Sequence, residues 1–245
     1  MPGPRRRSAL IALLTREHED TSQATILGEL RRALLEGEVP PGTAVPLDEV
    51  AAVFGVSRIP VREALKTLIG EGLVEHRVNA GYTVAKLTSA ELREMYVVRE
   101  ALETAALAAA LGAAGAADDR AALRAHEALE AAIAAGDVRA YHRESRRFHF
   151  ALVTPCGMHR LVKMFESAWN VTEPARPMAH VAVDDRAVLH RDHADMLAAF
   201  VARDTAALLD AARAHHRRLA ELLGAVPRHT GLLADPEPPG NIRST

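Results

Sequence analysis

The chain has 245 residues, a net charge of −2 and 49% hydrophobic residues. That length suits two modest domains with separate cores, and the near-zero charge excludes indiscriminate coating of a polyanion. A lone cysteine, Cys156, excludes an internal disulfide, and no apolar run is long enough to span a bilayer, so a reducing cytoplasm is the expected setting.

The first 20 residues, MPGPRRRSALIALLTREHED, begin basic and then turn briefly apolar. The apolar part is too short for a signal peptide, which leaves a poorly ordered arm or a short helix. From there Ile26, Leu27, Leu30, Ala33 and Leu34 form one 3.6-period face that ends at Gly37. Pro40-Pro41-Gly42 breaks the chain. Leu47–Phe54 reads as a short helix, and Gly55-Val56 turns it towards Ser57. Ser57 is a good N-cap, able to accept from the first-turn N–H groups, and Pro60 falls where a missing N–H costs nothing. Val61, Ala64, Leu65, Leu68 and Ile69 make an apolar stripe, whereas Arg58, Arg62 and Lys66, spaced by four, make a separate basic ridge. A helix greased on one side and cationic on another packs inward while facing phosphates and base edges outward.

Two glycines, Gly70 and Gly72, flank the end of that helix. LVEHRV and YTVAKL then alternate like two short strands around Asn79-Ala80-Gly81, a hairpin with Arg77, Asn79 and Gly81 at its tip. Helix, helix, helix, hairpin is a winged helix-turn-helix. Basic and acidic residues balance across the first 86 residues, so DNA binding here rests on clustered placement.

From Ser89 onward there is no strand signal. Thr88-Ser89 caps a long helix through Leu92, Met95, Tyr96, Arg99, Leu102 and Ala106. Asp118-Asp119 starts the next, to Gly136. Asp137 starts another to about Thr154, and 157–171, 184–203 and 204–223 supply the rest. An all-α bundle of about six helices is the natural packing. Cys156 reads as a small buried or half-buried side chain, since no activating base accompanies it. The final stretch, 226–245, is rich in Pro and Gly without periodicity and reads as disordered. Of the chain's 12 histidines, His149, His193 and His215 stand inside separate helices of the bundle. Two or three imidazoles converging in a bundle core can hold a metal ion; scattered, solvated histidines are the alternative, and His142, His190 and His216 read as solvated.

Two family resemblances organise these features. Residues 23–86 resemble the winged-helix domain of the GntR family of bacterial transcription regulators, on ILGELRRALLEGEVPPG, LDEVAAVFGVSRIPVREALKTLIGEGLVE and Gly81. The resemblance implies that Ser57, Arg58, Ile59, Pro60 and Arg62 sit at the DNA and that the wing near Gly81 reaches an adjacent groove. Ile59 departs from the threonine more usual there. Residues 91–224 resemble the FCD effector domain of the FadR-type subfamily, on VVREALE, RRFHFALV, HADMLAAFVARD and LLDAARAHH. That implies a divalent metal, zinc or similar, held by His149, His193 and His215. The family's fourth ligand, four residues before the first histidine, is here Ser145, a poor ligand; Glu144 is the neighbouring carboxylate that could swing in. It also implies a pocket for a small carboxylate, with Arg99 as a bidentate clamp. An Arg99–Glu103 pair within the helix is the competing reading. Tyr96 and Trp169 either line that cavity or belong to the plain core.

The expected layout is an N-terminal arm over 1–20, a winged helix over 21–87, an all-helical effector and dimerisation domain over 88–225, and a tail over 226–245. The expected function is a ligand-responsive, homodimeric DNA-binding regulator, a repressor released by a small organic acid, reading a near-palindromic operator in double-stranded DNA with Ser57, Arg58, Ile59, Pro60, Arg62, Lys66, Arg77 and Gly81. A metal-sensing regulator and, in a different class, a metalloenzyme built on the histidines are the rivals. The enzyme reading lacks an evident general base.

Overall fold

A computed structural model describes residues 8–15, 22–36, 39–78, 80–224 and 233–234. The chain divides into two compact units. One takes the chain up to Ser89 together with 170–175; the other takes Ala90–Trp169 and the chain from Arg176 through the last helix.

The first unit runs α1 (Ala9–Leu13), α2 (Gln23–Glu36), β1 (Ala44–Val45), α3 (Leu47–Phe54), α4 (Arg58–Gly70), β2 (Val74–Arg77) and β3 (Gly81–Val84). α2 buries Ile26, Leu30, Ala33 and Leu34, the spacing that defines one helical face. Gly37, the expected helix terminator, lies outside the described residues. α3 carries Asp48 and Glu49 in its first turn, where carboxylates meet the positive end of the helix dipole. It stops at Gly55, whose φ of 66° is left-handed and free of penalty for glycine.

α4 buries Val61, Ala64, Leu65 and Leu68. Two expectations need correction here. Ser57 occupies the N-cap position, but its hydroxyl makes no capping hydrogen bond and the residue is exposed. Ile69 is 37% exposed and sits on the rim, whereas its neighbour Leu68 is fully buried.

The hairpin pairs Val74 with Val84 and Arg77 with Gly81. A third strand joins it: Ala44 and Val45 pair with Thr83 and Tyr82, giving the order β1-β3-β2. Two residues carry no readable alternation, so only the pairing reveals this strand. Asn79 of the expected hairpin tip lies outside the described residues. Of the two readings of the N-terminal arm, residues 9–13 take the helix. Leu10 is fully buried in the core with Ile26, Leu30, Phe54 and Leu65. Arg32 donates to the Leu13 carbonyl at 2.9 Å, and the Thr15 N–H donates to Glu29 at 2.7 Å.

The second unit consists of α5 (Ser89–Ala110), α6 (Ala116–Ala134), α7 (Val138–Val153), α8 (His159–Thr172), α9 (Val183–Val201) and α10 (Thr205–Gly224), with single 3₁₀ turns between some of them. The last residues of α8 count with the first unit. The acidic starts work as caps. Asp137 accepts from the Ala140 N–H at 2.9 Å, Asp204 from the Ala207 N–H at 2.9 Å, and Asp118 reaches back to the Gly115 N–H at 2.8 Å. α6 lies against α7 and α9, and α9 against α10. Alanines at 106, 110, 122 and 125 let helices approach closely around Leu107, Phe148, Phe165, Met196 and Phe200. Cys156 is free and half-buried. Among the described residues no helix is long and apolar enough to cross a membrane.

Candidate functional site

The buried face of α4 fixes which residues its other face displays. Ser57, Arg58, Ile59, Arg62 and Lys66 are all exposed, with Pro60 half-buried beside them. Ile59 is 69% exposed on the same face. Arg58 donates to Asp48 of α3 at 2.8 Å, and Lys66 pairs with Glu63 at 2.9 Å. Both pairs are open to water and hold weakly. Arg62 has no ion-pair partner among the described residues, so its planar fork is free to meet a phosphate or a guanine edge.

On the wing, Arg77 is exposed and lies 3.3 Å from Glu75. Gly81 has a φ of 81°, and a Cβ there would meet no heavy atom within 4 Å. Conformation, rather than crowding within the chain, therefore requires the glycine. Sequence reasoning placed Val78 inside a strand. It stands beyond β2 at the wing tip, 81% exposed, and only the end of the strand ladder shows it.

In the second unit, α7, α9 and α10 bring His149, His193 and His215 together, all buried, with a ligating atom of each within 4.8 Å of the others. The Nε2 atoms of His149 and His193 are 3.2 Å apart. Two ligands bonded tetrahedrally at zinc–nitrogen distance would stand roughly 3.3 Å apart. The carboxylate of Glu103 on α5 lies 2.5 Å from His149 Nδ1, so Nδ1–H donates to Glu103 and Nε2 is the ring nitrogen that faces His193. The other oxygen of Glu103 lies 2.7 Å from His216 Nε2. On the far side Asp192 pairs with Arg218 and lies 3.5 Å from His215 Nδ1. The Nδ1 atoms of His193 and His215 are buried and make no hydrogen bond.

Electrostatics keep His193 and His215 neutral. Burial, then the neighbouring histidines, holds His193 well below the ordinary range. Burial also pushes His215 down to about 4, against the pull of Asp192. Burial alone would raise Glu103, but His149 and His216 outweigh it and hold the carboxyl well below the usual carboxylate range. Three imidazole nitrogens gathered within 4.8 Å of one another fit a divalent ion of borderline softness. Such an ion would be held by His149, His193 and His215, with Glu103 orienting the first, and it would supply a Lewis-acid centre for a carboxylate.

Several expected residues stand elsewhere. Glu144 does not supply the missing carboxylate: it is clamped by Arg143 at 2.6 Å and Arg147 at 3.1 Å. Ser145 is half-buried. His216 is not solvated but 4% exposed and bonded to Glu103. His142 is also shielded, and burial with the charges of Arg176, Arg186 and Arg99 drives it down to about 3. His190 is half-buried and stacked on His126, ring centroids 4.5 Å apart. Tyr96, Arg99 and Trp169 are buried. The Arg99 guanidinium lies 3.5 Å over the Trp169 ring and 4.6 Å from that of Tyr96. Glu103, one turn on, gives both its oxygens to histidines. Sequence reasoning overlooked Glu103 as a partner of His149 and His216, and Asp192 as the neighbour of His215. Their only sequence signal is acidity at a core-facing helical position.

The fold defines a class, a winged helix-turn-helix module followed by an all-helical module. The family of bacterial regulatory proteins named gntR matches residues 22–84, and the FCD domain matches residues 94–218. A probable D-xylose utilization operon transcriptional repressor from Paenarthrobacter nicotinovorans is 30% identical over 73% of this chain and 81% of its own length. The HTH-type transcriptional repressor GlaR of Escherichia coli is 27% identical over 76% of this chain and 88% of its own. The solved structure of E. coli McbR/YncC superimposes with a TM-score of 0.73 at 22% identity, over 82% of this chain and 96% of that one, and so shares the fold. The chain belongs to the GntR family of regulators with an FCD domain. It is a DNA-binding transcription regulator and not an enzyme, which removes the metalloenzyme reading.

Proposed function

We propose that this regulator binds a near-palindromic operator as a homodimer, laying one α4 from each copy in successive major grooves. Ser57, Arg58, Ile59, Pro60, Arg62 and Lys66 face the duplex, and Arg77 and Gly81 bring the wing to an adjacent groove. The carrying observation is the outward face of α4, where Arg62, without an ion-pair partner among the described residues, projects beside an exposed Ile59. The second unit takes a small organic acid, with a divalent ion on His149, His193 and His215 as its anchor. Trp169 links the parts: its ring is 5.2 Å from that of His149 and lies under the Arg99 guanidinium. Arg99 and Tyr96 thus stand beside the trio, where a planar cation suits a carboxylate.

Ligand binding acts as a switch only through different affinity for the DNA-competent and incompetent states. Release of a repressor by its ligand is the direction this reading takes, in the cytoplasm where the duplex lies. The buried trio also favours a metal-sensing variant, in which the ion itself is the signal.

Gel-shift titration at fixed salt, with DNA flanking the chain's own gene and random DNA of equal length, tests the reading. Specific retardation that a small carboxylate weakens is expected. Equal affinity for both DNAs sinks the operator claim. Retardation governed by zinc, with no response to a panel of organic acids, selects the metal sensor. His193→Ala is expected to lose one bound ion per chain; unchanged metal content removes His193 from the site.

A further inference from the structure

A second set of ligating groups lies at the surface of the helical unit, between α6 and α9. His126 and Glu130 are four residues apart and share one face of α6, and His190 comes from α9. A ring nitrogen of each histidine and a carboxylate oxygen of Glu130 all lie within 4.8 Å of one another. The two imidazoles are stacked, 4.5 Å between centroids at 21°. His126 Nε2 and His190 Nδ1 are buried and make no hydrogen bond. Two desolvated ring nitrogens without hydrogen-bond partners are costly, and a bound ion would satisfy a ring nitrogen of each histidine.

We propose that His126, Glu130 and His190 form a second divalent-metal site, separate from the buried trio. Two imidazoles and one carboxylate suit a borderline ion such as zinc rather than magnesium or calcium. They are the donor types of zinc sites that keep a fourth position open. Glu130 is exposed and the two histidines half-buried, so the fourth position is water-accessible. The site owes nothing to His149, His193 or His215, although its α9 ligand stands three residues before His193. Because its donors come from two helices that pack together, occupancy ties α6 to α9 and stabilises the folded unit by mass action.

The full-length chain, titrated with zinc chloride alone and then freed of excess by gel filtration, tests this. His126→Gln and His190→Gln are each expected to hold one zinc ion per chain fewer than the unmodified protein. Glu130→Gln, at an exposed position that packing does not need, is expected to weaken the same binding step and to shrink the zinc-induced rise in melting temperature. Its metal-free melting temperature is expected to stay unchanged. His193→Ala is expected to keep this ion while losing the buried one. Zinc content and melting shift identical to the unmodified protein in both Glu130→Gln and His126→Gln overturn the site, whatever the buried trio binds.

Discussion

The two units build their functional surfaces in opposite ways. In the winged helix most residues proposed to touch DNA lie close together in the chain, at the start and along the outer face of α4 and on the wing, and none belongs to the core beneath them. In the helical unit the candidate site is the core: three histidines from three helices, with Glu103 from a fourth, all nearly inaccessible. Changes to the first site should therefore alter binding without altering folding, whereas changes to the second should alter both. Function displayed on one helix is written locally in the chain; function assembled by packing is not.

Breaking the buried network should have the largest effect. Glu103→Ala removes the carboxylate shared by His149 and His216 and should cost about 3–5 kcal/mol of stability, the usual penalty for removing one partner of a buried charged pair. Urea unfolding measures it, and a loss below about 1 kcal/mol would contradict an ionised Glu103. In the first unit the largest comparable effect lies far from the DNA surface. Leu10→Ala should cost about 2–5 kcal/mol, since Leu10 is fully buried. An unchanged urea midpoint would mean that α1 does not dock on the winged helix.

Acid should separate the two units. His215, lowered to about 4, and His142, lowered to about 3, are neutral when folded and basic when unfolded. Their contribution is fully present above pH 6.5 and is lost as pH falls towards those folded values, at about 1.4 kcal/mol per group per pH unit. In the first unit Glu29 is lowered to about 2, chiefly by its hydrogen bond to Arg32. Its contribution persists down to about pH 4.5 and is lost only below that. Fluorescence of Trp169, the chain's single tryptophan, should report the helical unit loosening before hydrogen exchange in α2 and α4 accelerates. Loss of both signals together would remove the contrast.

The smallest effect sharpens the comparison from the other side. Arg62→Ala should weaken specific operator binding by about 1–3 kcal/mol and leave stability within about 0.5 kcal/mol. A variant that unfolds easily, or that binds the operator undiminished at matched salt, would show that α4 presents another face.

The helices of the second unit were legible because several begin near an acidic or hydroxyl residue and keep a 3.6-residue apolar rhythm. Asp137 and Asp204 show this, each bonding an N–H of the first turn it was expected to cap. The outward ridge of α4 was legible for the same reason, since the period that buries Val61 and Leu65 leaves Arg58 and Arg62 outside. Ser57 shows the limit. Position predicted a capping bond, but a hydroxyl's partner depends on its rotamer, which the chain alone does not specify. β1 was invisible because two residues have no period, and Leu10 because a short apolar run reads alike whether it docks or hangs free.

What the chain determined by itself was local and periodic: where helices start and stop, which face of each is apolar, and which motif heads the recognition helix. Only the tertiary structure decided that His149, His193 and His215 meet, that Glu103 turns to His149 and His216, that Glu144 stays with its arginines, and that His126 stacks on His190. Periodicity fixes a side chain's direction on its own helix, but which directions converge depends on how helices cross. The protonation of the groups that meet depends in turn on the water their packing excludes.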